Sequence, residues 1–155
     1  MNFSRSFTIA LLTTTCLAAG AAQAEGAPSK GEQALKYRKS LYQVMAWNFG
    51  PMGAMAQGKA PYDAVEFAKR ADRVALIAPM LSEGFPAETK DLPHSELKAA
   101  MWANRADFDA KMQDLVDRSA KLATVAKAGD FAQSKAAFFD TANACKACHE
   151  KYKNE

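Results

Sequence analysis

Beyond the first two dozen residues, apolar positions recur at helical spacing, and no stretch alternates as a half-buried strand would. Leu35, Leu41, Tyr42, Met45, Phe49, Met52 and Met55 follow a period close to 3.6. Ser29, with Glu32 three residues later, makes a capping box at the start of that helix. Pro51 lies inside the pattern and lacks an N–H, which predicts a kink or a division near Gly50. A second helix opens at Pro61, with Asp63 near its positive end, and runs to about Leu81 through Val65, Ala68, Val74, Leu76 and Ile77. The stretch "SEGFPAETKDLPHS" reads as a loop. A third helix is expected from about Ser95 to Ala128. Leu97, Met101, Phe108, Met112, Leu115, Leu122 and Val125 form its buried stripe, Trp102 adds to that face, and Gly129 ends it. A fourth begins at Asp130 with a second capping box to Gln133 and carries Phe131, Phe138 and Phe139. Helices of ~20–30 residues with short connections predict an all-α chain folded as an antiparallel up-down-up-down four-helix bundle.

The N-terminal segment stands outside this pattern. Arg5 precedes the apolar run "FTIALLTTTCLAAGAA", and "AQA" ends it with small residues at Ala22 and Ala24. This is the layout of a secretory signal peptide over residues 1–24, too short and too interrupted by threonines for a membrane anchor. Cys16 would leave with it. Residues 25–155 then form one domain with no membrane insertion, exported to the periplasm, an oxidising compartment. The 155-residue chain has a formal net charge of +3 and no basic block, which argues against nucleic acid as a partner.

The chemistry concentrates at the end. Cys145-Lys146-Ala147-Cys148-His149 is C-x-x-C-H, the attachment signature of a c-type haem. Two thiols at this spacing add across two vinyl groups of a porphyrin, and the next residue on the helix offers an imidazole to the iron. Three other uses of the same residues are a thioredoxin-like dithiol, which wants a strand before its helix; a zinc site, which needs a fourth ligand; and a structural disulfide. None fits a strandless chain as well as one covalently attached haem c.

The motif's place sharpens this reading. A C-x-x-C-H at the C-terminal end of the last of four helices resembles the class II cytochromes c, and within them the cytochrome c′ family. "ALKYRKSLYQVM" and "GPMGAMAQGKAPYD" are similar to the family's first helix and first turn, "MWANRADF" to its third helix, and "KAGDFAQSKAAFFDTANACKACHEKY" to its last. The resemblance implies the bundle fold and His149 as axial ligand to the haem iron. It also implies Tyr42 at the position that decides what faces the iron from the first helix. A neutral phenol is a poor ligand there, so the expectation is a five-coordinate, high-spin iron that binds nitric oxide and carbon monoxide. Electron exchange with an unidentified redox partner accompanies this reading, without substrate turnover. The alternative is a low-spin electron carrier in which Met45, one turn from Tyr42, ligates the iron. Arg38, on the face of Tyr42, and beside it Lys39 are expected at the haem edge, where a guanidinium pairs with a propionate. Met52 and Met55 are expected in the core or at a contact between two copies, since family members are commonly homodimers packed through the first helix. Lys153 stands where many members carry an arginine near the proximal imidazole. His94 reads as an exposed loop residue.

Overall fold

The computed structural model describes residues 26–154; the predicted signal peptide, with Cys16 and the boundary after residue 24, lies outside them. Helix α1 spans Lys30–Ala56 and starts as its sequence predicts. Glu32 N donates to Ser29 Oγ at 3.2 Å, while Ser29 N donates to Glu32 Oε2 at 2.7 Å. Helix α2 spans Ala64–Ile77, capped by Asp63, whose carboxylate accepts from Glu66 N at 3.0 Å. A short α3, Ala99–Ala103, precedes α4, Arg105–Ala126, and α5 covers Phe131–Tyr152. Helices α1, α2, α4 and α5 form an antiparallel up-down-up-down bundle, and among the described residues there is no strand beyond one isolated bridge. No described helix is long and apolar enough to cross a membrane.

Of the two outcomes expected at Pro51, a kink or a division, the structure excludes the second. Pro51 does not divide α1, which stays helical from Lys30 to Ala56. The proline leaves the carbonyl of Trp47 without its helical donor, and Arg70 of α2 supplies one, with Nη1 at 2.9 Å. Glu66 holds the same guanidinium through Nη2 at 2.7 Å. Replacing Arg70 by alanine should therefore cost about 1–3 kcal/mol of unfolding free energy, the cost of an orphaned acceptor. In a Pro51→Ala background the restored N–H takes that carbonyl, so the loss should shrink. Equal losses in the two backgrounds, measured by urea unfolding, would overturn this account.

The third predicted helix needs correction. Its first four positions, 95–98, are not helical, and Asn104 leaves the helical region at φ −126° and ψ 46°, dividing α3 from α4. Asn104 stabilises the break by donating from Nδ2 to Ala100 O at 2.9 Å. The loop before it is also more ordered than a loop signal suggests. The expected end of the second helix tightens into a 3₁₀ turn, Ala78–Gly84, that buries Leu81 and runs into the loop, which holds another turn at Ala87–Thr89 and buries Phe85.

Packing sets where the bundle is tight and where it opens. Small residues line the α4–α5 contact: Ser119, Ala123 and Ala126 on α4, Ser134, Ala137, Thr141 and Ala144 on α5, all buried. Ser119 and Thr141 bond their own helices, to Val116 O and Ala137 O, both at 2.9 Å, so their burial leaves no orphaned hydroxyl. Phe67, Leu81, Met52 and Leu122 fill the core, each stabilising by about 1.5–3 kcal/mol through burial. Helices α1 and α5, by contrast, form the loosest neighbouring pair of the four. A cleft lies between them.

Candidate functional site

Cys145, Cys148 and His149 stand at i, i+3 and i+4 on α5, a spacing that puts them on one face. All three line a cavity of about 250 Å³ together with Tyr42, Met45 and Phe49 of α1 and Met112 and Leu115 of α4. A second cavity of about 470 Å³ adjoins it, and Tyr42, Ala46, Cys148 and His149 line both. The larger space is closed by Arg38 of α1, Phe85 of the loop, Phe108 of α4, Tyr152 at the end of α5, and Ser95, Glu96 and Leu97. Tyr42 of α1 and His149 of α5 therefore border the same cleft.

Burial sets the chemistry of these groups. It pushes the Cys145 thiol up, with the neighbouring Cys148 adding to the effect. It pushes Cys148 up as well, against an opposing pull from Lys111. Both cysteines are free. His149 is pushed down from the ordinary histidine range by burial of its inner side and then by Lys153. The neutral imidazole, with a lone pair to donate, is thereby favoured at neutral pH. Tyr42 is pushed well above the usual phenol range, first by burial. It is a protonated phenol, not a phenolate ligand.

Arg38, expected at the edge of the site, is more deeply buried than an edge position requires. The residue is 3% exposed, and no carboxylate among the described residues lies within ion-pair distance of it. Nη1 donates to Gly84 O at 3.2 Å and Nη2 to Ser95 O at 2.8 Å, and its guanidinium carbon lies 4.5 Å from the centre of the Phe85 ring. Burial pushes its pKa down, yet a guanidinium stays charged. A buried cation bonded to carbonyls and an aromatic face, with the Glu96 carboxylate acting on it only from beyond ion-pair distance, leaves room for an anion from the cavity. Gly84 makes the site possible, because a Cβ there would stand 2.5 Å from Cβ of Arg38.

The other predicted residues divide. Lys39 is exposed and reaches only the rim of the larger cavity, beside Gln43. Met45 is buried and lines the smaller cavity alone, and Lys153 lines the larger. Met52 and Met55 are buried in the core and border neither space. His94 is exposed, in the left-handed conformation at φ 60°. Phe85, Tyr152 and residues 95–97 were missed. A predicted loop signals nothing about which of its residues fold back over a cleft. Tyr152, three residues past His149, is an aromatic in the last turn that nothing in the motif requires. It is 1% exposed, and its hydroxyl donates to Asp107 of α4, which also accepts from Lys151 Nζ at 2.9 Å.

Two free thiols one turn apart, a neutral imidazole beside them, an apolar slot and a buried cation with no ion pair among the described residues fit a flat apolar ring that carries a metal and carboxylates. The volumes suit a cofactor, whose pockets span ~300–1,000 Å³. The competing uses fit less well. Among the described residues no group of three or more His, Cys, Asp or Glu side chains is placed to hold a metal ion by itself, and no strand precedes the dithiol.

The fold and site together define a helical-bundle protein with a cofactor cleft closed by a C-x-x-C-H helix. Comparison with known proteins agrees: the sequence profile of the family Cytochrome C' matches residues 33–153, and the chain belongs to that family. Its cofactor is covalently attached haem c. A cytochrome c′ of Rubrivivax gelatinosus is 38% identical over 126 residues, covering 81% of this chain and 98% of that protein. The structure of cytochrome c prime from Shewanella frigidimarina superposes with a TM-score of 0.78 at 41% identity, covering 83% and 99% of the two chains. A variant of cytochrome c prime from Alcaligenes xylosoxidans, solved as its nitric oxide complex, gives 0.74 at 33% identity over 82% and 98%.

Proposed function

We propose that this chain is an exported, periplasmic cytochrome of five-coordinate, high-spin iron that binds nitric oxide and carbon monoxide and exchanges electrons with a redox partner. In this reading Cys145 and Cys148 hold the haem by thioether bonds, and His149 is the one protein ligand to iron. The haem supplies a metal centre with one open coordination position. The side chains decide what reaches that position. Tyr42 crowds it with a protonated ring, which discourages larger or strongly hydrated ligands and cannot itself ligate well. Arg38 neutralises a propionate at the haem edge, and Lys39 adds positive charge at the rim. The observation that carries the reading is Tyr42: it alone of the candidate distal residues lines both cavities opposite His149, while Met45 lines one. Solved relatives with bound nitric oxide or carbon monoxide support the choice of ligands.

The low-spin alternative keeps a foothold because Met45 is buried on the wall of the smaller cavity. One optical and electron-paramagnetic spectrum of the purified protein separates the two. A high-spin ferric signal and a spectral shift on adding nitric oxide are expected. A far-red methionine-to-iron band with a low-spin signal sinks the five-coordinate reading in favour of Met45. Sedimentation of the same sample should give the mass of two chains. That pairing is supported by the outer face of α1, where Tyr37, Val44 and the 75%-exposed Trp47 lie uncovered.

A further inference from the structure

Residues 94–98 cross between the loop and α3 as a non-helical strap, and its backbone is held from two sides. From α1, Arg38 Nη2 donates to Ser95 O at 2.8 Å. From the end of α5, Asn154 N donates to Glu96 O at 3.0 Å and Asn154 Nδ2 to Leu97 O at 3.2 Å. Lys98 N donates in return to Tyr152 O at 2.9 Å, and Leu97 and Lys153 form an antiparallel bridge. Two residues of the strap, His94 and Glu96, sit at φ 60° and 58°. Neither is glycine, and such conformations persist where the surroundings over-determine them. Ser95, Glu96 and Leu97 line the same cavity as Tyr42 and His149.

We infer that the 94–98 strap is a clasp that couples the two walls of the cleft, tying the buried Arg38 guanidinium of α1 to the final turn of α5 that follows His149. The strap is a positioning element. It touches both walls through backbone carbonyls, and the last turn returns to His149 directly, Lys153 N donating to His149 O at 3.0 Å. Asp107 fixes Tyr152 from the far side. A shift of the α5 end therefore moves the Ser95 carbonyl and, with it, Arg38. The reverse holds too, since coupling between two sites is reciprocal. The inference rests on the reading of this cleft as the haem pocket.

Lys98 allows the clasp to be opened at one atom. Its φ is −69° and its ψ 144°, which proline adopts without strain. Lys98→Pro removes the N–H that meets Tyr152 O together with the Nζ contact to Glu150 O at 3.0 Å, whereas Lys98→Ala removes the Nζ contact alone. Amide exchange and the Arg38 Nε resonance are read by NMR on the reduced protein under carbon monoxide. Lys98→Pro should speed exchange at Asn154 about fivefold over Lys98→Ala, the effect of one lost hydrogen bond, and should shift the Arg38 resonance. Lys98→Ala should leave that resonance in place. Faster exchange at Asn154 with Arg38 unmoved makes the strap a local anchor and overturns the coupling, as does a Lys98→Pro protein with neither change. Asn154→Ala, which keeps the backbone bonds, provides the milder second variant and should move Arg38 in the same direction. An unmoved Arg38 there, alongside a Lys98→Pro protein that does not fold, also overturns it. Exchange and the arginine signal belong to the polypeptide, so they fail separately from the iron's spectrum.

Discussion

Protein carrying Cys145→Ala and Cys148→Ala should reach its compartment at the mass of the bare polypeptide, with no porphyrin retained after acid and organic extraction. The expectation follows from the position of both thiols. They are free, they line the cleft with His149, and their spacing on α5 presents them to one ring. Without the tether the haem depends on one imidazole and on burial, and a cleft of about 470 Å³ beside one of about 250 Å³ stands without its filling. Unfilled apolar space and lost ligand binding both lower stability. A loss of only ~3 kcal/mol lowers the melting temperature by roughly 10 °C in a domain of this size. A double variant that keeps covalent porphyrin in its intact mass overturns the assignment of these cysteines.

Tyr42→Ala should raise the rate of carbon monoxide and nitric oxide association by at least about tenfold, the effect of removing ~1.4 kcal/mol of barrier. Tyr42 is half-buried, its ring lines both cavities, and its hydroxyl is kept protonated by its surroundings. In the proposed reading its part is steric, and flash photolysis measures that part directly. Tyr42→Phe serves as the control, since it keeps the ring and should stay near the parent rate. If alanine and phenylalanine variants both bind gas at the parent rate, Tyr42 does not guard the iron. If phenylalanine alone reproduces the alanine effect, the hydroxyl acts and the steric account fails.

Much of this was legible in the chain because it depended on local spacing. The capping box at Ser29 starts α1 as read, whereas Asp130 starts α5 by its carboxylate alone, accepting from Gln133 N without the reciprocal bond of a box. The stripe Phe108, Met112, Leu115 and Leu122 is buried on α4. Cys145, Cys148 and His149 needed only the helix between them to converge. Pro51 left a kink and a division both open, because a proline reports the donor it lacks and not the partner that replaces it. Arg70, far along the chain, is that partner. Residues 95–98 were misread as helix for a related reason. Their apolar Leu97 fits the stripe, but pairing with residues 152–154 holds their backbone in another conformation.

The sequence by itself determined the bundle, the starts of its first and last helices and the haem-attachment motif, since helical periodicity, caps and i, i+3, i+4 spacing are properties of neighbours along one chain. Only the tertiary structure decided that Arg38 is buried with no carboxylate among the described residues within ion-pair distance, that Gly84 lets it in, that Tyr42 faces both cavities while Met45 faces one, and that a strap joins Arg38 to the end of α5. These follow from contacts between segments dozens of residues apart, whose energies depend on distance in space. No pattern of hydrophobic and polar positions records that distance.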